Sequence, residues 1–172
     1  SGSEDPMSVV RGNADAIPIA DASVDVIFHR AVIHHLDEAG WRAGAAEMYR
    51  VLAPGGVALI QDRTFADVQD KAPAFWIRTT LFELFPWLLQ FEADRRPDRD
   101  GYTAVLRACG FRVVTSAFPE TRRVYHSFET LESDILGRRG KSILFELDDN
   151  ELRQYCACLL YTSPSPRDLA VS

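Results

Sequence analysis

The sequence predicts an α/β domain in which helices flank a parallel β-sheet. Residues 24–28 and 57–60 form short, almost uninterrupted apolar runs, the pattern of strands buried on both faces of such a sheet. Residues 38–52, which lie between these runs, carry apolar side chains at spacings of three and four and therefore indicate a helix. A helix that connects two strands of one sheet forms a right-handed crossover, so the two strands are expected to be parallel.

Proline and glycine residues mark the limits of these elements. Pro54, Gly55 and Gly56 are expected to end the helix, because proline cannot continue a helix and glycine readily adopts the positive φ of a cap or turn. Residues 7–12 predict an earlier strand. The first third of the chain therefore reads as strand, loop, strand, helix, glycine turn and strand.

The rest of the chain predicts more helices than strands. Residues 72–97 are rich in aromatic side chains, and Pro86 should interrupt the helical structure of this segment. Further helices are expected over residues 98–108, 127–136 and 144–155, and strands over residues 111–118 and 124–127.

Composition and charge argue against several functional classes. The 172 residues include 25 Asp and Glu against 19 Lys and Arg, a net charge of −6, which disfavours partners such as nucleic acid or an anionic membrane surface. No apolar run approaches the roughly 20 residues of a membrane-spanning helix. Three cysteines are too few for a disulfide framework or a four-ligand zinc site, so we expect a cytoplasmic protein without a metal site.

Polar residues follow each predicted strand at the point where it ends. The pairs are Asn13-Ala14, His29-Arg30 and Asp62-Arg63. Ligands of open α/β sheets bind outside the carboxyl ends of the parallel strands, so these pairs are expected at one rim of the sheet.

The adjacent histidines His34 and His35 allow two interpretations. One of them can face a substrate as a general base, because imidazole titrates near neutral pH. Both can equally be structural residues of the rim. Asp62 and Arg63 can similarly bind substrate or pair with each other, and the aromatic residues of 72–97 can form either a core or a binding wall.

Several short motifs occur in a characteristic order between residues 8 and 64. They are Gly12-Asn13-Ala14, Ile17-Pro18, Ser23-Val24-Asp25, His34-His35-Leu36 and Arg50-Val51-Leu52-Ala53-Pro54-Gly55-Gly56. This order resembles the second half of the core of a class I S-adenosylmethionine-dependent methyltransferase. The resemblance implies a Rossmann-like sheet with flanking helices, S-adenosylmethionine as the cofactor and a small molecule as the methyl acceptor.

The resemblance also implies which residues bind the cofactor. Asn13 and Ala14 stand where the family has an aspartate and a backbone N–H that hold the edge of the adenine. Asn13 replaces the aspartate, and its amide oxygen can still accept a hydrogen bond from an exocyclic amine. His29 and Arg30 are expected to contribute to the same cofactor site.

The substrate side follows from the same resemblance. Asp62, Arg63 and Tyr125 are expected to contact the substrate, and His34 or His35 is expected to be the catalytic base. Residues 72–97 are expected to form a helical lid over the substrate.

One feature of the family is absent from the sequence. No glycine stands two positions from another, so the Gly-x-Gly loop that holds the methionine and ribose end of the cofactor is missing. We therefore expect residues 1–157 to be a partial methyltransferase domain that lacks the first strand–helix units and is inactive alone. Residues 158–172 are expected to be a non-native tail, because residues 158–168 resemble the translated reading frame of an adapter used in sequencing libraries.

Two other functions fit parts of the pattern. A degenerate Rossmann-like domain without the glycine loop would be an interaction module rather than an enzyme. An NAD-binding enzyme of related topology is disfavoured by the loop at Asn13, the Pro-Gly-Gly turn and the lack of a hydride-transfer constellation. The sequence leaves open whether a carbon, oxygen or nitrogen atom is methylated, and also the oligomeric state.

Overall fold

The computed structural model describes residues 8–96, 98–117, 123–162 and 170–171. The chain forms two compact units. The first contains residues 1–65 and 95–115, and the second contains residues 66–94 and 116–172.

A two-stranded parallel sheet lies at the centre of the first unit. Strand β1 (Val24–Arg30) pairs with strand β2 (Leu52–Gln61), and the register places Phe28 opposite Leu59. The connection between them contains a short 3₁₀ turn (Ile33–His35) and helix α1 (Glu38–Val51). The predicted strand–helix–strand unit and its parallel pairing are therefore confirmed.

Local backbone and side-chain interactions determine where helix α1 begins and ends. The Asp37 side chain accepts a hydrogen bond of 2.8 Å from the Gly40 N–H, which caps the first turn. The chain becomes extended at Leu52, so the helix ends before Pro54 and strand β2 includes the Pro-Gly-Gly segment. The predicted helix over residues 38–52 is therefore one residue too long, and the predicted positive φ is found at Gly55 (φ 84°).

The second glycine of this segment is required by a close approach of the two strands. A Cβ atom at Gly56 would lie 2.9 Å from the Ala53 carbonyl oxygen and 3.0 Å from the Asp25 carbonyl oxygen. Gly44, in contrast, lies inside α1, and a Cβ there would meet its nearest neighbour, the Ala14 carbonyl oxygen, at an ordinary distance of 3.5 Å.

These two glycines should respond to alanine in opposite directions. Gly56→Ala is expected to lower the free energy of unfolding by about 1–3 kcal/mol, because backbone atoms must move to relieve the overlap. Gly44→Ala is expected to raise it by about 0.5–1 kcal/mol, because alanine favours the helix. Urea denaturation of both variants checks the pair, and equal effects would contradict the packing around Gly56.

Only one face of the sheet is covered, which corrects the expectation that its strands are buried on both faces. Ile27 and Ile60 pack towards the core formed by α1 and helix α5 (Arg99–Ala108). The opposite face is apolar but between 51% and 64% exposed, and its side chains are Val26, Phe28, Val57 and Leu59. The alternation of a strand places these residues on one side, and no described element of the first unit covers them.

The flanks of the first unit do not form the strands that the sequence predicts. Residues 8–12 are irregular, and Val9 and Val10 are 87% and 64% exposed; Met7 lies outside the described residues. Residues 111–117 are also irregular, and Phe118 lies outside the described residues. A strand needs a neighbouring backbone to pair with, and neither segment finds one among the described residues.

Helices dominate the second unit, as the sequence predicts. Residues 65–95 form helices α2 (Phe65–Gln69), α3 (Trp76–Leu84) and α4 (Trp87–Arg95). Pro86 separates α3 from α4, as expected. Within 72–97 the helical character is confirmed for the described part, Pro97 lies outside it, and the lid function stays a prediction.

The C-terminal helices pack around a leucine-rich core. Helix α6 (Phe128–Leu136) matches its predicted range and is capped by Ser127. A 3₁₀ helix (Ser142–Glu146) and helix α7 (Asp149–Thr162) follow. The fully buried leucines of this unit are Leu88, Leu131, Leu144, Leu152 and Leu159.

Helix α7 differs from its predicted range of 144–155 at both ends. Its start is fixed by the Asp148 carboxylate, which accepts hydrogen bonds from the N–H groups of Asn150 (2.7 Å) and Glu151 (2.9 Å). The helix continues to Thr162, so the first residues of the predicted tail are helical. Residues 163–169 and 172 lie outside the described residues, and the origin of the tail stays a prediction.

A two-residue antiparallel pair replaces the predicted strand over residues 124–127. Strand β3 (Arg123–Val124) pairs with strand β4 (Ala170–Val171). The strand is therefore shorter than predicted and begins one residue earlier.

Candidate functional site

A buried carboxylate directly after β2 collects hydrogen bonds from several parts of the first unit. The Asp62 carboxylate accepts from the backbone N–H groups of Ile33 (3.1 Å) and Arg63 (2.8 Å). It also lies 3.1 Å from His34 Nδ1 and 3.3 Å from Arg96 Nη1. The side chains of His34, Asp62 and Arg96 are 10% exposed or less, so this cluster is largely removed from solvent.

The protonation of this cluster follows from its surroundings. Burial raises the pKa of Asp62, but the hydrogen bonds from His34 and the Arg63 N–H and the charges of His34 and Arg96 outweigh that effect and lower the pKa below its ordinary value of 3.8. Asp62 is therefore ionised at neutral pH. An ionised carboxylate can only accept hydrogen bonds, so Nδ1 of His34 carries a proton and Nε2 is the ring nitrogen that faces away from Asp62's hydrogen bond.

The second histidine lies beside the first. The ring centroids of His34 and His35 are 4.2 Å apart, and the two rings are tilted by 41°. Burial lowers the pKa of His35, and the neighbouring charges of His34 and Arg95 lower it further. The lowered pKa leaves His35 neutral at pH 7, but His35 is largely exposed and lacks the hydrogen bond to Asp62 that orients His34.

Arg96 is a member of the cluster that sequence reasoning missed. The mixed charges of residues 94–100 are typical of a solvated turn, yet the Arg96 side chain is 6% exposed. It donates to the Arg63 carbonyl oxygen (3.1 Å) as well as to Asp62. No local signal identifies Arg96, because its partners are more than thirty residues away in the sequence.

Beside this cluster, β1 and α1 enclose a small apolar cavity of about 90 Å³. It is lined by Ala14, Ile17, Ile27, His29, Leu36, Trp41, Gly44, Met48 and Tyr102. The Trp41 indole donates to the Ile33 carbonyl oxygen (3.0 Å), and burial raises the pKa of Tyr102 to about 12.

His29 contributes a polar atom that lacks a partner. Its Nδ1 is buried and forms no hydrogen bond in the described structure. Burial lowers the pKa of His29, while the charge of Asp62 opposes this, so the ring is neutral at pH 7. A buried polar atom without a partner costs free energy unless a ligand or water satisfies it.

The residues predicted to bind the cofactor are divided between the cavity and the surface. Ala14 and His29 line the cavity together. Asn13 and Arg30 are exposed, and the Asn13 carbonyl oxygen accepts a hydrogen bond from the Ala16 N–H (3.2 Å).

The apolar lining and the unsatisfied imidazole nitrogen fit one edge of a purine ring. The cavity is, however, much smaller than the roughly 300–1,000 Å³ of a complete ligand site. The cavity by itself is therefore too small for a whole cofactor, of which it was predicted to hold one edge. Their use in this role stays a prediction.

Tyr125 belongs to the second unit. It is buried, and its hydroxyl donates to the Asp134 carboxylate (3.0 Å). Its expected contact with substrate stays a prediction.

The described residues contain neither a metal-binding cluster nor a membrane-spanning helix. No group of three or more His, Cys, Asp or Glu side chains there has an arrangement that could hold a metal ion. None of the helices in the described ranges is both long enough and apolar enough to span a bilayer.

The first part of the chain is similar to known methyltransferases. Residues 1–60 match the model of a methyltransferase domain. The chain is also similar to a ubiquinone/menaquinone biosynthesis C-methyltransferase of Rubrivivax gelatinosus, with 30% identity over 120 aligned positions that cover 60% of this chain and 44% of the relative.

Two mycobacterial relatives match a shorter segment. An uncharacterized methyltransferase of Mycobacterium ulcerans is 44% identical over 55 residues, which cover 32% of this chain and 21% of the relative. A probable S-adenosylmethionine-dependent methyltransferase of Mycolicibacterium smegmatis is 44% identical over 55 residues, or 31% of this chain and 20% of the relative. The chain thus spans less than half the length of these relatives. Its N-terminal segment is nevertheless similar to a methyltransferase domain, and one of these relatives is named as S-adenosylmethionine-dependent.

Proposed function

We propose that this chain is part of an enzyme that transfers a methyl group from S-adenosylmethionine to a small-molecule acceptor, with His34 as the general base. The observation that carries this proposal is the pair formed by His34 and Asp62 at the carboxyl end of β2. The carboxylate holds the imidazole with Nδ1 protonated, and Nε2 can then accept a proton from an acceptor group.

The cofactor would supply the activated methyl group, and the protein would supply position and exclusion of water. Ala14 and His29 would hold one edge of the cofactor at the apolar cavity, with Asn13 and Arg30 at its rim. Arg63 and Tyr125 remain the proposed substrate contacts. The carboxylate of Asp62 is engaged by protein donors, which supports a positioning role in place of the expected contact with substrate.

A base at this place favours acceptors that lose a proton during methylation. An enol, a phenol or an amine fits this requirement. The methyl-transfer assay described below decides whether the acceptor atom is carbon, oxygen or nitrogen. We also retain, as parts of the proposal, a cytoplasmic location and a substrate other than nucleic acid. The net charge of −6 supports the latter.

An interaction module without catalysis is the second candidate. The observation that favours it is the absence of a Gly-x-Gly sequence in the 172 residues. Sequencing the source DNA upstream of Ser1 and downstream of Ala157 separates the two candidates. A strand followed by Gly-x-Gly upstream supports the enzyme, and a genuine start near Met7 with an unchanged tail supports the module.

The enzymatic proposal is then tested by transfer of radiolabelled methyl groups from S-adenosylmethionine to a panel of phenols, amines and enolisable ketones. Formation of S-adenosylhomocysteine that depends on one acceptor class is the expected result. No transfer by a protein that contains the glycine loop would contradict the proposed function.

A further inference from the structure

The loop that carries the predicted adenine contacts is bound to helix α1 by two charged side chains. The Glu47 carboxylate accepts a hydrogen bond of 2.8 Å from the Ile17 N–H. Arg50 donates to the carbonyl oxygens of Ile17 (2.8 Å) and Ile19 (2.9 Å) and forms an ion pair with Asp21 (2.5 Å). Both polar groups of the Ile17 backbone are thus satisfied by side chains of α1.

The two side chains also hold each other in place. Arg50 donates to both oxygens of Glu47, with distances of 2.7 Å. The guanidinium group therefore binds Glu47, Asp21 and the loop backbone at the same time, which its planar set of donors allows. The hydrogen bonds from Arg50 and from the Ile17 N–H lower the pKa of Glu47 from 4.5 to about 2, so Glu47 is ionised at neutral pH.

This arrangement lies beside the apolar cavity. Ile17 lines the cavity together with Ala14, and both belong to the loop that Glu47 and Arg50 hold. The end of the loop is bound to the backbone of α1. The N–H groups of Ala22 and Ser23 donate to the carbonyl oxygens of Arg50 and Val51, the last two residues of the helix. Between residues 13 and 21, the described hydrogen bonds to α1 come from Glu47 and Arg50.

We propose that Glu47 and Arg50 are positioning residues that hold residues 17–21 against α1 and thereby set the wall of the cavity formed by Ala14 and Ile17. Their effect on cofactor binding rests on the proposed function, whereas their effect on the loop does not. Without the pair, the Ile17 N–H loses its acceptor, and the Ile17 carbonyl oxygen keeps only the hydrogen bond from the Ile19 N–H (2.8 Å).

Amide hydrogen exchange of this chain, measured by NMR, tests the positioning role. Glu47→Ala is expected to lower the protection of the Ile17 amide by about tenfold, because its hydrogen bond is lost, while amides of α1 and β2 keep their protection. Glu38→Ala is the matched control: Glu38 pairs with Arg42 on the same helix, and that pair does not contact the loop. The conservative variant Glu47→Gln retains an acceptor and should restore part of the protection.

The pH dependence of the Ile17 amide protection provides an independent test of the same role. The pKa of Glu47 is lowered in the folded chain. The stabilisation of the loop by the ionised Glu47 carboxylate is therefore complete above about pH 4.5 and is lost as the pH falls towards about 2. Protection of Ile17 relative to α1 should fall over this range, and Glu47→Ala should remove the change. Arg50 keeps its charge throughout, and Asp21 is the other carboxylate that contacts it.

Two results would overturn the proposal. Unchanged protection at Ile17 in Glu47→Ala would show that the loop does not need the pair. An equal fall throughout α1 and β2 would show that the pair supports the whole unit and does not position the loop.

A titration with S-adenosylhomocysteine distinguishes this proposal from the proposed function. A Kd about tenfold higher in Glu47→Ala than in the unchanged chain, with no change in Glu38→Ala, supports both proposals. An unchanged Kd despite a loosened loop overturns the role in the cavity wall. Absence of binding by the unchanged enzyme that contains the glycine loop counts against the proposed cofactor site, whereas absence of binding by this chain alone is expected because it has no Gly-x-Gly sequence. The exchange data then decide the positioning role by themselves.

Discussion

Replacing Asp62 with alanine is expected to lower the free energy of unfolding of the first unit by about 3–5 kcal/mol. The change removes a buried carboxylate that faces Arg96 and accepts from His34 and from the N–H groups of Ile33 and Arg63. Buried donors that lose their acceptor keep the cost of desolvation without the compensating hydrogen bond.

The measurement is urea denaturation followed through the amide signals of α1 and β2. Asp100→Ala is the control, because Asp100 is exposed and its contact with Arg99 is 3.5 Å long; it should change stability by less than about 0.5 kcal/mol. Equal stability of the Asp62 and Asp100 variants would contradict the buried cluster.

The same residue sets part of the pH dependence of stability. The pKa of Asp62 is lower in the folded chain than its ordinary value of 3.8, so the stabilisation is present above that pH and is lost as the pH falls below it. The Asp62→Ala variant should lose this contribution and become less sensitive to acid. A variant as acid-sensitive as the unchanged chain would show that other carboxylates dominate.

Replacing His34 is expected to have the largest effect on catalysis. In the enzyme with a complete cofactor site, His34→Ala should lower kcat by about 100- to 10,000-fold, the usual contribution of a positioned base. His35→Ala should lower it by less than about tenfold, because His35 is exposed and donates no hydrogen bond to a carboxylate that would orient it. The measurement is the initial rate of methyl transfer at saturating cofactor and acceptor.

Controls separate chemistry from folding. His34→Gln keeps a donor for Asp62 and much of the side-chain volume, so a loss of rate in this variant reflects the missing base. His126→Ala changes an exposed histidine of the second unit and should leave the rate unchanged. Near-normal turnover with both His34 and His35 replaced by alanine would remove the histidine base from the mechanism.

The tautomer of His34 can be measured in this chain without any activity. The ionised Asp62 predicts a proton on Nδ1, which the ¹⁵N shifts of the ring report. In Asp62→Asn the amide can also donate, so the preference for this tautomer should weaken. A proton on Nε2 in the unchanged chain would contradict the orientation that the proposed base requires.

The local sequence pattern was sufficient to predict those helices and strands whose stability depends on residues nearby in the sequence. Helices α1, α5 and α6 follow their apolar periods, and side chains of Asp37, Asp98 and Ser127 cap their first turns. The apolar runs at β1 and β2, joined by one helix, predicted the parallel pair. Pattern failed for residues 8–12 and 111–117, because an apolar run becomes a strand only when another backbone pairs with it.

The sequence by itself determined the parallel strand–helix–strand unit, the Pro-Gly-Gly segment and the motifs of a methyltransferase domain. Only the tertiary structure decided that Asp62 holds His34 and Arg96, and that Glu47 and Arg50 hold the Ile17 backbone. The members of these clusters are about thirty residues apart. His34 and Asp62 meet because the crossover through α1 brings the ends of β1 and β2 together, and no local period in the sequence records such contacts.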